Sequence, residues 1–387
     1  MPDTELKDGN GPSDAVAPYR VLSLDGGGSR GVYAAAFLDR LVGQFGARGG
    51  SNGAGAAKNM VDLGLGFDLI TGTSTGAIIG CGVAAGVPLR EIVALYRDHG
   101  PAIFPHRITG IGSVLWRALV GSYYVRKGDT ALRDALDEVL GDITMRDVYE
   151  RRGIALSIPS VRMSTHKAYV FKKTRTSGVR DDDYRLADVC LATSAAPVYR
   201  SLAAIQVPGE PKGTRQVFAD GGLWANNPVM VGLTDALANA GPHQPIEIYS
   251  LGTCPRPEGE HVRAGKEHRS MMGWRLGADV GPLAIAAQEF AYDNMARFLA
   301  KAFTDAGRQV RTVRFPNKAV PAEMMPFLAL DDTRSETMDR LIQQAHHDVD
   351  MTLSACDAGD ADGLMIKTLM ESLPAADEER SLAASRS

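Results

Sequence analysis

Ser74 lies in Gly72-Thr73-Ser74-Thr75-Gly76, directly after the apolar run Phe67-Asp68-Leu69-Ile70-Thr71, which reads as a buried strand. Glycines two positions either side of a serine suit a sharp strand-to-helix turn, where strained backbone angles leave no room for side chains and the hydroxyl stands out as a nucleophile. The run that follows, Ala77 to Ala85, is rich in small apolar residues. It predicts a buried helix with Ser74 at its N-terminus, where unpaired amides and the helix dipole favour a developing negative charge.

Two further constellations complete a chemistry. Upstream, the strand-like Tyr19 to Leu24 runs into Asp25-Gly26-Gly27-Gly28-Ser29-Arg30-Gly31 and then a helical stretch, Val32 to Phe45. Consecutive glycines let successive backbone N–H groups turn toward one point, so the Gly27 and Gly28 amides, completed by that of Thr75, are candidates for an oxyanion hole. Downstream, Gln216 to Ala219 reads as a short strand ending in Asp220-Gly221-Gly222. An acid at a strand end followed by glycines is a candidate general base for Ser74.

Glycine loop, serine elbow and Asp-Gly-Gly, in this order, resemble the patatin-like phospholipases. The resemblance extends to Cys190-Leu191-Ala192-Thr193-Ser194-Ala195-Ala196-Pro197, to Trp224-Ala225-Asn226-Asn227-Pro228 and to Ser250-Leu251-Gly252-Thr253. It implies a three-layer α/β/α fold around a mainly parallel sheet, and a serine–aspartate dyad in place of a triad. Ser74 would be the nucleophile and Asp220 its base. Gly26, Gly27, Gly28, Arg30, Gly31 and Thr75 would form the oxyanion region, with Gly72, Gly76, Gly221 and Gly222 as motif support. The implied reaction is acyl transfer to water from carboxylic esters of membrane phospholipids, with no cofactor and no metal. Within the family, Phe67 to Phe104 and Trp224 to Pro228 look most similar to bacterial antiphage effectors of the CBASS type. That likeness implies a cyclic dinucleotide activator, whose site would be sought from His261 onward.

The same residues admit rival chemistries. Gly26-x-Gly28-x-x-Gly31 also has dinucleotide-binding spacing, but no acid ends the next strand to hold a ribose hydroxyl. A Ser-Asp-His triad needs one of His243, His261 or His268, and nothing selects among them, since all fall in polar or turn-like sequence. A non-catalytic lipid-binding protein is the remaining class, and the intact Ser74 and Asp220 argue against it. Asp181-Asp182-Asp183 lacks the spaced oxygens and glycine of a calcium loop and reads as a solvated turn. For Arg30, a substrate phosphate and a structural ion pair are equal readings.

Composition bounds the rest. The chain has 387 residues, 44% hydrophobic, enough for a large core. A net charge of −4 argues against a nucleic-acid partner. Its four cysteines are far apart in sequence and suggest neither a disulfide framework nor zinc. Without a signal-like apolar segment or a membrane span, the expectation is a cytoplasmic protein acting at the inner membrane face. A homo-oligomer is compatible with the sequence, which does not fix the oligomeric state.

The organisation expected is a flexible 1–18, a catalytic core over 19–240, a C-terminal part over 241–377 that completes or covers it, and a disordered tail over 378–387. Ala47 to Lys58 reads as a flexible connection. Helices are expected at Pro88 to His99, Tyr184 to Thr193, Pro228 to Asn239 and Met271 to Phe303; strands at Ile154 to Ile158, Ala168 to Phe171 and Ile246 to Leu251. Ile103 to Pro105 and then Ile108 to Val125, with Leu115, Trp116, Leu119, Tyr123 and Tyr124 beside Arg107, Arg117 and Arg126, is the candidate membrane-facing segment, and a helix packed on the core is the equal alternative.

Overall fold

The apolar runs found in the sequence become parallel strands whose alternate side chains enter two different cores. In β1 (Tyr19–Leu24), Leu22 and Leu24 join one cluster while Tyr19 and Val21 join another, as period-two side chains of a doubly covered strand must. This computed structural model describes residues 16–49, 61–105, 111–254, 262–274, 277, 279–316, 320–376 and 380–383, with backbone alone at 49 and 111–122.

After β1 come α1 (Gly31–Gly49), β2 (Leu69–Gly72), α2 (Thr75–Ala85), α3 (Leu89–Ile103), α4 (Ile111–Val139) and α5 (Met145–Arg152). The chain continues through β3 (Ala155–Arg162), β4 (Lys167–Lys173), α6 (Leu186–Thr193), β5 (Ala203–Gln206), β6 (Arg215–Asp220), α7 (Gly222–Ala225) and α8 (Val229–Asn239). It ends with β7 (Ile246–Leu251), α9 (Val280–Asp305), β8 (Val310–Phe315), α10 (Ser335–Ala358) and α11 (Ala361–Glu371). The sheet order is β5-β6-β3-β2-β1-β7-β8, with β4 also paired to β3. Neighbours from β3 to β8 run parallel; β4, β5 and β6 are antiparallel additions. Helices α1, α2, α6, α10 and α11 contribute to the core on one face, and α8 and α9 to that on the other. This is the three-layer α/β/α arrangement with a mainly parallel sheet that the motifs imply.

One feature of the ladder positions the site. β2 pairs with the first half of β3, Leu69 to Thr71 against Ala155 to Ser157. β6 pairs antiparallel with the second half, Phe218 to Asp220 against Arg162 to Ser160. The two strands therefore meet head to head beside β3, and the residues at their facing ends are Gly72-Thr73-Ser74 and Asp220.

Several expectations shift. The helix read over Met271 to Phe303 begins only at Val280, and Met271 to Trp274 form a turn. The triplet Asp181-Asp182-Asp183 is not a solvated turn. Asp181 accepts from the Tyr169 hydroxyl and pairs with Arg180, buried Asp182 pairs with Lys173 and Arg146, and Asp183 pairs with Arg146. Arg180 and Lys173 neutralise charges that burial would otherwise make costly. Residues 380–383 are no loose tail: the Leu382 side chain is buried and its N–H donates to Ala85 O. The segments 1–15 and 50–58, the remainder of the tail and the Trp116 side chain lie outside the described residues.

Candidate active site

Ser74 has φ 53° and ψ −121°, a left-handed conformation costly for a residue with a Cβ. The elbow is possible because its flanks are bare. A Cβ on Gly72 would lie 2.5 Å from Gly76 O, and one on Gly76 would strike Leu24 O and approach Asp25 O to 2.6 Å. Both glycines are thus demanded by the close crossing of β1, β2 and the first turn of α2. The serine N–H donates to Thr193 Oγ1 (3.1 Å), whose own hydroxyl donates to Pro159 O (2.6 Å). Pro159 sits in β3 where β2 and β6 converge, so this relay ties the elbow to the third strand.

Ser74 and Asp220 are brought together, both almost wholly buried, and the serine hydroxyl is among the groups that stabilise the carboxylate. Gly222 N–H donates to Asp220 Oδ1 at 2.6 Å. Burial pushes the Asp220 carboxyl up to about 6; the Gly222 amide, the Ser74 hydroxyl and the Arg200 guanidinium pull it back. Desolvation therefore wins, and the result is a carboxylate far better matched to taking a proton near neutrality than an exposed aspartate. Arg200 is itself buried and paired with Asp129 at 2.9 Å, and burial lowers its affinity for its proton.

The glycine loop sorts into donors that are spent and donors that are not. Gly26 N–H donates to Asn226 O (2.9 Å), Arg30 N–H to Gly27 O (3.2 Å), and Gly31 N–H to Gly28 O. The Arg30 side chain is turned inward, with Nε on Gly27 O and Nη1 on Cys254 O. These three residues shape the loop from within, rather than offering main-chain donors. The amides of Gly27, Gly28 and Thr75 have no acceptor among the described residues.

Each of those three amides is aimed by its preceding carbonyl, because C=O and N–H point in opposite directions across a trans peptide. Gly26 O is clamped by Asn226 Nδ2 (3.1 Å) and Thr253 Oγ1 (3.0 Å), which fixes the Gly27 N–H. Gly27 O is held by the backbone and side chain of Arg30, which fixes Gly28 N–H. Ser74 O accepts from Ala77 and Ile78 in the first turn of α2, leaving the Thr75 N–H pointing out of the helix end. Gly28 has φ +58°, a conformation that glycine adopts without steric cost.

Beneath the loop, Asp25 forms a buried ion pair with Arg314, which also donates to Ser250 Oγ (3.0 Å). Burial raises the Asp25 carboxyl against the pull of that guanidinium. Asn226 is linked in turn to α9: its Nδ2 donates to Glu289 and its N–H to Gln288 Oε1 (2.8 Å).

Sequence reading missed Arg200, Asp25, Arg314 and the roles of Thr193, Asn226 and Thr253. The last three lie in the accessory segments 190–197, 224–228 and 250–253, and each contributes a hydrogen bond to the elbow or the glycine loop. Among the described residues, no histidine is one of the groups acting on the Asp220 carboxyl. His243 and His268 are exposed, and His261 lies outside the described residues. Four buried cysteines are free thiols. No helix among the described residues is long and apolar enough to cross a membrane.

A serine on a strained elbow, beside a buried carboxylate and flanked by unspent amides, is an arrangement suited to acyl transfer through a serine nucleophile. Residues 22–233 match the model of the patatin-like phospholipases, and the chain belongs to that family of carboxylic ester hydrolases. It is 34% identical to a cGAMP-activated phospholipase of Pseudomonas aeruginosa over 73% of this chain and 75% of that one. It is also 34% identical to a cGAMP-activated phospholipase of Escherichia coli, over 60% and 62% of the two chains. Another of that name, from Vibrio cholerae, is 29% identical over 83% of this chain and 88% of its own.

Proposed function

We propose that Ser74 and Asp220 hydrolyse the acyl esters of membrane phospholipids and that a cyclic dinucleotide switches this activity on, as part of antiviral defence. The observation that carries the chemical part is the placement of the Ser74 hydroxyl where it acts on a buried carboxyl raised to about 6. Asp220 takes the hydroxyl proton as Ser74 Oγ attacks the ester carbonyl, and the oxyanion is received by the amides of Gly27, Gly28 and Thr75. Collapse breaks the ester C–O bond, Asp220 returns its proton to the departing lysophospholipid alkoxide, and an acyl-enzyme remains. Water then adds to the acyl carbon while giving a proton to Asp220. Departure of Ser74 Oγ, reprotonated by Asp220, frees the fatty acid. The cyclic dinucleotide is supported by likeness to the three bacterial relatives.

The test uses purified protein with phospholipid vesicles, with and without cGAMP, beside a fluorophosphonate probe. Expected are probe attachment at Ser74, fatty acid release stimulated by cGAMP, and loss of both in Ser74→Ala. Attachment elsewhere would refute the dyad. Equal release without nucleotide would refute the switch alone.

A further inference from the structure

Helix α9 presents two faces of opposite use. Ala296 and Ala300 are buried toward the sheet, whereas Val280, Leu283, Phe290 and Phe298 are exposed, the two phenylalanines 72% and 73% so. At 3.6 residues per turn, these four fall within about 80° of one another around the axis and extend over about 27 Å. An apolar stripe of this length left in water marks an interaction surface.

The approach to this helix adds charge. Met271 and Met272 are exposed at 72% and 62%, and the exposed Arg263 and Lys266 precede them without an ion pair among the described residues. Arg269 stacks over Trp274 at 5.2 Å. On α9 itself, by contrast, Arg297 and Lys301 are neutralised by Asp293 and Asp305. Unneutralised cations beside exposed apolar side chains are the composition of an interfacial anchor.

The helix that carries the stripe also adjoins the catalytic machinery, through residues outside the stripe. α7 starts two residues after Asp220, packs on α9 and exposes Leu223, and Gln288 and Glu289 hold Asn226.

The geometry points to residues 262–274 and 280–298, with Leu223, as the surface that docks on an anionic lipid bilayer and sets the active site against its substrate. This rests on the phospholipase reading above. A second copy of the chain fits less well, since a two-fold contact through this region would bring the exposed Arg263 and Lys266 of the two copies face to face. The surface is open in the present conformation, so docking needs no nucleotide.

The experiment floats full-length Ser74→Ala protein, which cannot consume the lipid, with phosphatidylcholine vesicles with and without phosphatidylglycerol. Phe290→Ser/Phe298→Ser should lower binding more than about tenfold. Arg263→Glu/Lys266→Glu should lower it only on vesicles containing phosphatidylglycerol, about fivefold or more per charge. Met351→Ser/Leu364→Ser, on exposed positions of α10 and α11, should bind as the parent. Thermal melting checks that each variant is folded, and the charge pair remains informative if the phenylalanine pair is not. Undiminished binding by either folded surface variant overturns the proposal, as does equal loss in the α10/α11 control. So does light scattering that shows a dimer split by the phenylalanine changes with no vesicle binding by the parent. Binding is read without hydrolysis, so failure here is distinct from failure of the dyad, which the fluorophosphonate probe reports.

Discussion

Asp220→Asn should abolish ester hydrolysis and at the same time make the protein more stable, by an amount that depends on pH. An unfolded aspartate releases its proton near pH 4, whereas burial keeps the native Asp220 protonated up to about 6. Between these values the native state binds more protons than the unfolded one, so stability falls as pH rises through the window. Above about pH 6 the full penalty stands, up to about 3 kcal/mol. Asparagine carries no charge and escapes it. With an unfolding entropy of about 2.1 cal/mol/K per residue over 387 residues, the expected gain in Tm above pH 6 is about 4 °C. It should shrink to nothing near pH 4. Melting curves of both proteins from pH 4 to 8 supply one arm. The other is the pH profile of kcat/KM of the unsubstituted enzyme, which should rise through about 6 as Asp220 loses its proton. A Tm difference that is absent, or independent of pH, would refute the argument that burial tunes this base.

The clamp on Gly26 O predicts that Thr253→Val lowers kcat on the order of 10- to 100-fold with KM little changed, while Thr253→Ser restores it; steady-state kinetics at wild-type rate would remove the clamp. Gly76→Ala should destabilise the fold by about 3 kcal/mol in chemical denaturation, because its Cβ is driven against Leu24 O and Asp25 O. An unchanged denaturation midpoint would show that the crossing of β1 and α2 can relax.

Legibility in the sequence followed the range of the physical cause. The elbow at Ser74 was readable because the steric demand at Gly72 and Gly76 is met within a few residues. β1, β3 and β7 were readable because strands covered on both faces are rich in apolar residues, here Val21, Leu22 and Leu24, Ala155, Leu156 and Ile158, and Ile246, Ile248 and Leu251. The meeting of Ser74 with Asp220 was open only to resemblance, since it depends on β2 and β6 sharing one side of β3. Arg200 carries no local signature, and its effect on Asp220 arises through the fold. α10 shows helical spacing at Met338, Leu341, Ala345, Val349 and Leu353, all buried, yet lies beyond the motifs that guided the reading. The start of α9 is not legible because Met271 and Met272 have the character of core residues, although the structure exposes them.

The head-to-head approach of β2 and β6 makes the span Ser157 to Ser160 a ruler. Removing a single residue there would pull the two strand ends into collision, and adding one would part them and reverse the side-chain alternation beyond. Either change would leave every short signature of the family intact. A gene carrying such a lesion would still pass a pattern search while encoding a protein in which Ser74 and Asp220 no longer meet, so the length of this unremarkable strand tests the proposed site more strictly than the pentapeptide itself.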